Sequence, residues 1–130
     1  MYMLKGRSSL LKNFLKNRNI LTAYDEQLEE RLHELIAKRH DFHEQKMFGG
    51  VGFLLRGNMC FGIWKDSLIL RLGEGQAQNA LKKKNVKPFD ITGRAMKGWV
   101  MVAPGGMKSK ETLRQWVTQA IDFVSGLPRK

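Results

Sequence analysis

Cysteine is almost missing from this 130-residue chain: Cys60 stands alone, and no intramolecular disulfide can close. A disulfide-stapled secreted miniprotein is thereby excluded, and a solitary thiol suits a reducing compartment, so the cytoplasm is the expected location. Long apolar runs are missing as well. Stretches such as Met59 to Trp64 fall far short of the roughly 18 residues that a membrane-spanning helix requires, so no membrane span is expected. A secretory signal needs an apolar stretch of about 7 to 15 residues behind a basic start. Residues 1–23 instead scatter Lys5, Arg7, Lys12, Lys16 and Arg18 among Leu4, Leu10, Leu11, Phe14 and Leu15. They read as a basic, poorly ordered N-terminal extension, with a transit peptide or a membrane-surface helix as the alternatives.

Acidic residues are scarce, 12 against 23 Lys+Arg, for a formal charge of +11. Nucleic acid and anionic lipid therefore enter as partners. The charge is unevenly spread, however. Residues 1–23 carry five bases and no acid, residues 24–44 hold seven acids against three bases, and residues 45–130 hold 15 bases against five acids. The chain reads as a polarised domain with a local basic region, to which an acidic protein surface binds as readily as a phosphate backbone.

Catalytic arrangements are also lacking. No Gly-x-Ser-x-Gly elbow and no Gly-x-x-x-x-Gly-Lys phosphate loop occurs. Cys60, between Met59 and Phe61, reads as core packing rather than a nucleophile. His40 and His43, beside Asp41 and Glu44, bring no cysteine or third histidine with them, and a structural zinc site usually needs four N or S ligands. That segment reads as a polar connector. No enzyme activity, metal or cofactor is expected.

What the chain does have is 42% apolar residues, enough for the core of one domain. Thr22 and Asp25 resemble a capping box for a helix to about residue 39, with Tyr24, Leu28, Leu32, Leu35 and Ile36 on one face and Lys38, Arg39 and His40 in its last turn. Strands follow at about 47–55, 59–64 and 67–72. Gly57-Asn58 and Lys65-Asp66 are the turns between them. Gly49, Gly50 and Gly52 imply a bulge or a close backbone approach. A second helix is expected over 74–84, a fourth strand over 99–102, and a last helix capped by Ser109 that buries Leu113, Trp116, Val117, Ala120, Ile121 and Val124. Tight turns make the strands mostly antiparallel, and single-striped helices need a sheet face to cover. The expected fold is a two-layer α+β domain, a mostly antiparallel sheet of about four strands packed against helices, in the order α-β-β-β-α-β-α.

Lys82, Lys83, Lys84 and Lys87 form a basic cluster, with Arg94 and Lys97 in the following loop. These six are candidate contacts to nucleic acid or to an acidic partner; the plainer reading is a solvated helix end. Phe53, Phe61, Trp64, Trp99 and Trp116 lie in apolar patterns and read as core.

Tyr24-Asp25-Glu26, Met47-Phe48-Gly49-Gly50, Gly57-Asn58-Met59, Pro88-Phe89-Asp90 and Gly93-Arg94-Ala95-Met96-Lys97-Gly98-Trp99 occur in this order along the chain. In order and spacing they resemble the N-terminal domain of the TfoX/Sxy family over about residues 24–127. The most specific segments are Met-Phe-Gly-Gly and Gly-Arg-x-Met-Lys-Gly-Trp; the family often has proline where Ala95 stands. Its namesakes are bacterial regulators of competence genes, thought to be transcriptional coactivators, with a second, C-terminal domain. The resemblance thus implies a bacterial, cytoplasmic, single-domain relative without that second domain. It would be a non-enzymatic regulatory or protein-interaction module with a protein partner, the transcription machinery being one candidate, and self-association into a homodimer would be open to it. No catalytic residue carries over. Met47, Phe48, Gly49, Gly50, Phe89, Gly93, Met96, Gly98 and Trp99 are the motif positions, with structural roles expected first.

Overall fold

The structure, a computed structural model, describes residues 23–47, 49–90 and 93–130. All but the last residue of the basic extension, and Thr22 of the expected capping box, lie outside the described residues. Asp25 caps the first described helix, α1 (Glu26–Leu35): its carboxylate accepts from the backbone N–H groups of Gln27 (2.9 Å) and Leu28 (3.1 Å). α1 stops at Leu35, short of residue 39, so Lys38, Arg39 and His40 are not in its last turn. The chain there must swing into a strand, and Arg39 anchors the swing by a forked pair of hydrogen bonds to Asp41 at 3.1 and 2.9 Å.

That strand is β1 (Phe42–Met47), where a connector was expected. Only its two ends are partly buried, and its interior, His43 to Lys46, is exposed, so no apolar alternation announces it. It pairs with β2 (Gly50–Leu55) across the turn at Gly49. β3 (Asn58–Trp64) and β4 (Ser67–Arg71) extend the meander. The β2–β3 turn falls on Arg56 and Gly57, both with positive φ (52° and 87°), one residue earlier than expected. Asn58 is thereby freed to donate from Nδ2 to the Pro128 carbonyl (2.9 Å).

α2 (Glu74–Ala80) is shorter than the expected 74–84, and Lys82, Lys83 and Lys84 lie beyond it. Next come β5 (Val86–Pro88), β6 (Trp99–Val102), a 3₁₀ turn (Pro104–Gly106) and α3 (Lys110–Ser125). Ser109 caps α3 as expected, its hydroxyl accepting from Thr112 N–H at 3.0 Å. The α+β class and the mostly antiparallel sheet are as expected. The sheet has six strands, ordered β1-β2-β3-β4-β6-β5 with every neighbouring pair antiparallel. The two additional strands, β1 and β5, are its edges.

Register decides what each face carries, because alternate residues of a strand point to opposite sides. Val51, Ile63, Leu68 and Val102 lie in one cross-strand row and Phe53, Phe61, Leu70 and Val100 in another. Both rows belong to the main core with Leu28 and Leu32 of α1, Ala77 and Ala80 of α2, and Leu113, Trp116, Val117, Ala120 and Val124 of α3. Phe53 stacks on Phe61 at its centre, with ring centroids 4.8 Å apart. The intervening row, Gly52, Gly62, Ile69 and Met101, points the other way. Ile69 and Met101 are buried, yet neither belongs to that core. Among the described residues, all three helices pack on one face. Among the described residues no helix is long and apolar enough to cross a membrane.

Gly50 sits where the sheet is tightest: a Cβ there would lie 2.1 Å from the Ile63 carbonyl oxygen, which is backbone and cannot yield cheaply. Gly75, on the exposed side of α2, has nothing within 4 Å of its Cβ position. We therefore predict opposite outcomes in urea unfolding. Gly50→Ala should lose about 1–3 kcal/mol or more to overpacking, and Gly75→Ala should gain about 0.5–1 kcal/mol.

Candidate functional site

The face on which no helix packs among the described residues carries the site. Glycine at Gly52 and Gly62 leaves a trough in the middle of the sheet, and two thioether side chains lie in it. A Cβ on Gly52 would meet Met59 Sδ at 2.7 Å and Met47 Cε at 3.0 Å, and one on Gly62 would meet Met59 Cε at 3.0 Å. Around this floor Met47, Met59, Trp64, Ile69, Phe89, Met96 and Trp99 line a cleft of about 160 Å³ whose surface is almost wholly apolar. Phe89 and Trp99 support each other, their centroids 5.9 Å apart. The loop between them is closed at its base by a hydrogen bond from Met96 N–H to the Phe89 carbonyl (3.1 Å), and Trp99 N–H donates to Met96 (3.2 Å). Met96 is thus held over the cleft while 44% exposed, the one large apolar side chain so exposed among the described residues.

Cations stand at the rim. Arg71 holds its guanidinium 5.4 Å from the centre of the Trp99 ring, and Lys65 holds its ammonium 4.6 Å from that of Trp64. Lys87 pairs with Met101 across β5 and β6, which places it on this same face.

Of the motif positions, Met47, Phe89, Met96 and Trp99 converge on the cleft although they are far apart in sequence. Gly49, Gly93 and Gly98 take positive φ (77°, 83° and 85°), and Gly50 makes the close approach above. Gly98 ties the segment down by accepting from Leu72 and Gly73 N–H at 2.8 and 3.1 Å. Phe48 lies outside the described residues. Met59, Trp64, Ile69 and Arg71 are cleft and rim residues beyond the sequence-predicted set. Period-two alternation through Gly62 could have found Trp64, and that of β4 pairs Ile69 with Arg71 on one face; Met59 reaches the open face only through the register shift at Phe53/Leu54, which no spacing announces.

The six basic candidates do not form one patch. Lys82, Lys83 and Lys84 follow α2 beside the helix layer. There Lys83 sits 5.2 Å from the Trp116 ring centre, and Lys83 and Lys84 border a cleft of about 130 Å³ with Thr112, Gln115 and Gln119 of α3. Lys87 faces the open side, and Arg94 and Lys97 are exposed on either side of Met96 in sequence.

The polar groups near α1 are arranged differently from the His40–His43 pairing considered in the sequence. His33 Nε2 lies 2.6 Å from Glu44 Oε2, and Asp41 takes Arg39 and, at 3.7 Å, Arg56. The hydrogen bond from Arg39 holds the Asp41 carboxyl below its ordinary range. Glu29, His33 and Glu44 keep one ligand atom each within 4.8 Å of the others. The Tyr24 hydroxyl donates to Glu29 (3.2 Å), and burial, reinforced by the neighbouring carboxylates, pushes its pKa up to about 12. Cys60 is fully enclosed, and burial raises its thiol from 9.0 to about 12.

A one-sided α+β sheet with a methionine- and tryptophan-lined trough on its bare face is the class of domain these features define. The family model of the TfoX N-terminal domain matches residues 34–124, and the chain belongs to that family. No curated protein and no solved structure matches it.

Cys60 and Tyr24 both keep their protons more tightly when folded. Between about pH 9 and 12 the native state therefore binds more protons than the unfolded chain, and stability falls as pH rises. Urea midpoints should drop across this window, and less steeply for Cys60→Ala. At about pH 8 a disulfide reagent should leave native Cys60 unlabelled and react fully once urea unfolds the protein. Rapid native labelling would contradict the burial.

Proposed function

We propose that this domain is a non-enzymatic regulatory module that works by holding another protein against the bare face of its sheet. The observation that carries the reading is the apolar cleft in which the Met47 and Gly93–Trp99 motif segments meet. A solvent-facing concavity of thioethers and aromatic rings ringed by cations is poor equipment for acid–base or nucleophilic chemistry, and good equipment for an adaptable protein contact. Buried Cys60 has no base beside it among its described contacts, which further disfavours it as a nucleophile. The reading places the protein in the bacterial cytoplasm, in transcription regulation of the competence-gene type, with the transcription machinery as the first place to look for the partner. Self-association into a homodimer is open to the domain through an exposed sheet edge, β1 or β5, or through a helix face.

A photo-crosslinking amino acid placed at Met96 in cells tests this. A discrete, nuclease-resistant protein adduct is expected from position 96 and none from position 118 on exposed α3. Equal, diffuse labelling at both positions would sink the proposal.

Direct nucleic-acid binding is the second reading, favoured by the exposed run Lys82–Lys84. Were phosphate contacts to dominate, log affinity would fall with log salt by about 0.9 per phosphate neutralised. Replacing the three lysines by glutamine should then flatten the slope by about 3. Absence of duplex DNA and RNA binding at low salt would dismiss this reading.

A further inference from the structure

Arg71 is the one charged residue in the four central strands, β2, β3, β4 and β6. It is half-buried at the end of β4, opposite Trp99 in register. Its single hydrogen bond among the described residues is a long one, from Nη1 to the Met59 carbonyl at 3.4 Å. The other well-placed arginines are engaged: Arg39 and Arg56 reach Asp41, Arg114 reaches Glu111, and Arg31 donates to the Met107 carbonyl at 2.7 Å. No carboxylate pairs with Arg71 among the described residues. A guanidinium has five N–H donors in a planar fork that matches a carboxylate, and here most of them have no acceptor among the described residues. The two residues that hold Arg71, Met59 and Trp99, both line the cleft.

The size of the cleft limits what enters it. A dry apolar cavity of about 150 Å³ accommodates one benzene, whereas sites for drug-sized molecules run to about 300–1,000 Å³. At about 160 Å³ the cleft has room for one aromatic ring or one leucine-sized group. Taking the bare face to be a protein-docking surface, as above, we propose that the cleft receives a single large apolar side chain of the partner. Arg71 then receives the carboxylate of an aspartate or glutamate within two residues of it in the same segment. Charge agrees with this choice. Lys65 stands at the rim with Arg71, and Lys87 lies on the same face, so an acidic segment is drawn to this face and a basic one repelled. A phosphate backbone would meet the cations but leave the apolar cleft unfilled.

Selection of a displayed random peptide library on the intact 130-residue protein, followed by anisotropy titration of the enriched peptides, tests the inference. The enriched sequences should share an aromatic or large aliphatic anchor with Asp or Glu within two positions. Arg71→Gln should weaken them by about tenfold or more. Changing the peptide's acid to its amide should weaken binding to the wild-type protein equally and have no further effect on Arg71→Gln. Arg71→Lys keeps the cation without the fork, should lose an intermediate amount, and serves if the glutamine variant melts early. Peptides that lose binding on Met96→Asp yet ignore Arg71→Gln and their own acid would overturn this inference and leave the docking face standing. Peptides that bind Met96→Asp normally, or no enrichment at all, would overturn both.

Discussion

The fold turns on an unequal division of the sheet. On one side of β2, β3, β4 and β6 the cross-strand rows carry valine, isoleucine, leucine and phenylalanine. Burying such side chains is worth about 1.5–3 kcal/mol each, so that side must be covered. The three helices of the described residues cover it. On the other side Gly50, Gly52 and Gly62 carry no side chain. Neighbouring strands and thioethers therefore approach more closely than any larger residue would allow. What remains is a shallow apolar recess floored by backbone.

The uncovered face accounts for both its apolar composition and its exposure. Met47 and Met59 lie over the glycine floor, and Phe89, Met96 and Trp99 join them around Ile69, which is buried on this face. Methionine suits this position because an unbranched thioether adjusts its shape at little cost. Tryptophans half-buried beneath cations serve the rim, presenting an apolar body to the cleft and a π face to the charge above it. The polarity of the chain follows the same division. The acidic residues of α1 lie with the helix layer, whereas Arg71 and Lys87 face the open side.

Much of this was legible in the sequence, and the parts that were not have physical reasons. Leu28, Leu32 and the α3 stripe declare their helices by spacing, and Asp25 and Ser109 declare the starts by their chemistry. β1 stayed hidden because an exposed edge strand needs no apolar alternation, and β5 because three residues bounded by Pro88 give too short a pattern. The cleft was half visible. Met47, Phe89, Met96 and Trp99 stand out by motif, but no one-dimensional spacing says that they meet, and Trp64 and Trp99 read as core because their apolar context is the same on either face. Arg71 carries no signal of its own in the sequence, because its meaning depends on Met59 and Trp99, brought beside it by two different pairings.

The order of the strands bears on how the protein reaches its working form. β1 to β4 are joined in succession by tight turns, so their contacts are local and close at small entropic cost. β6 must come back past α2 and β5 to pair with β4, and with it arrive Trp99 and the loop that holds Met96. A chain that has zipped up its meander but not yet docked β6 has the glycine floor and only one wall. The recess is therefore complete only once β6 has paired with β4, because Trp99 and Met96 reach it with that strand.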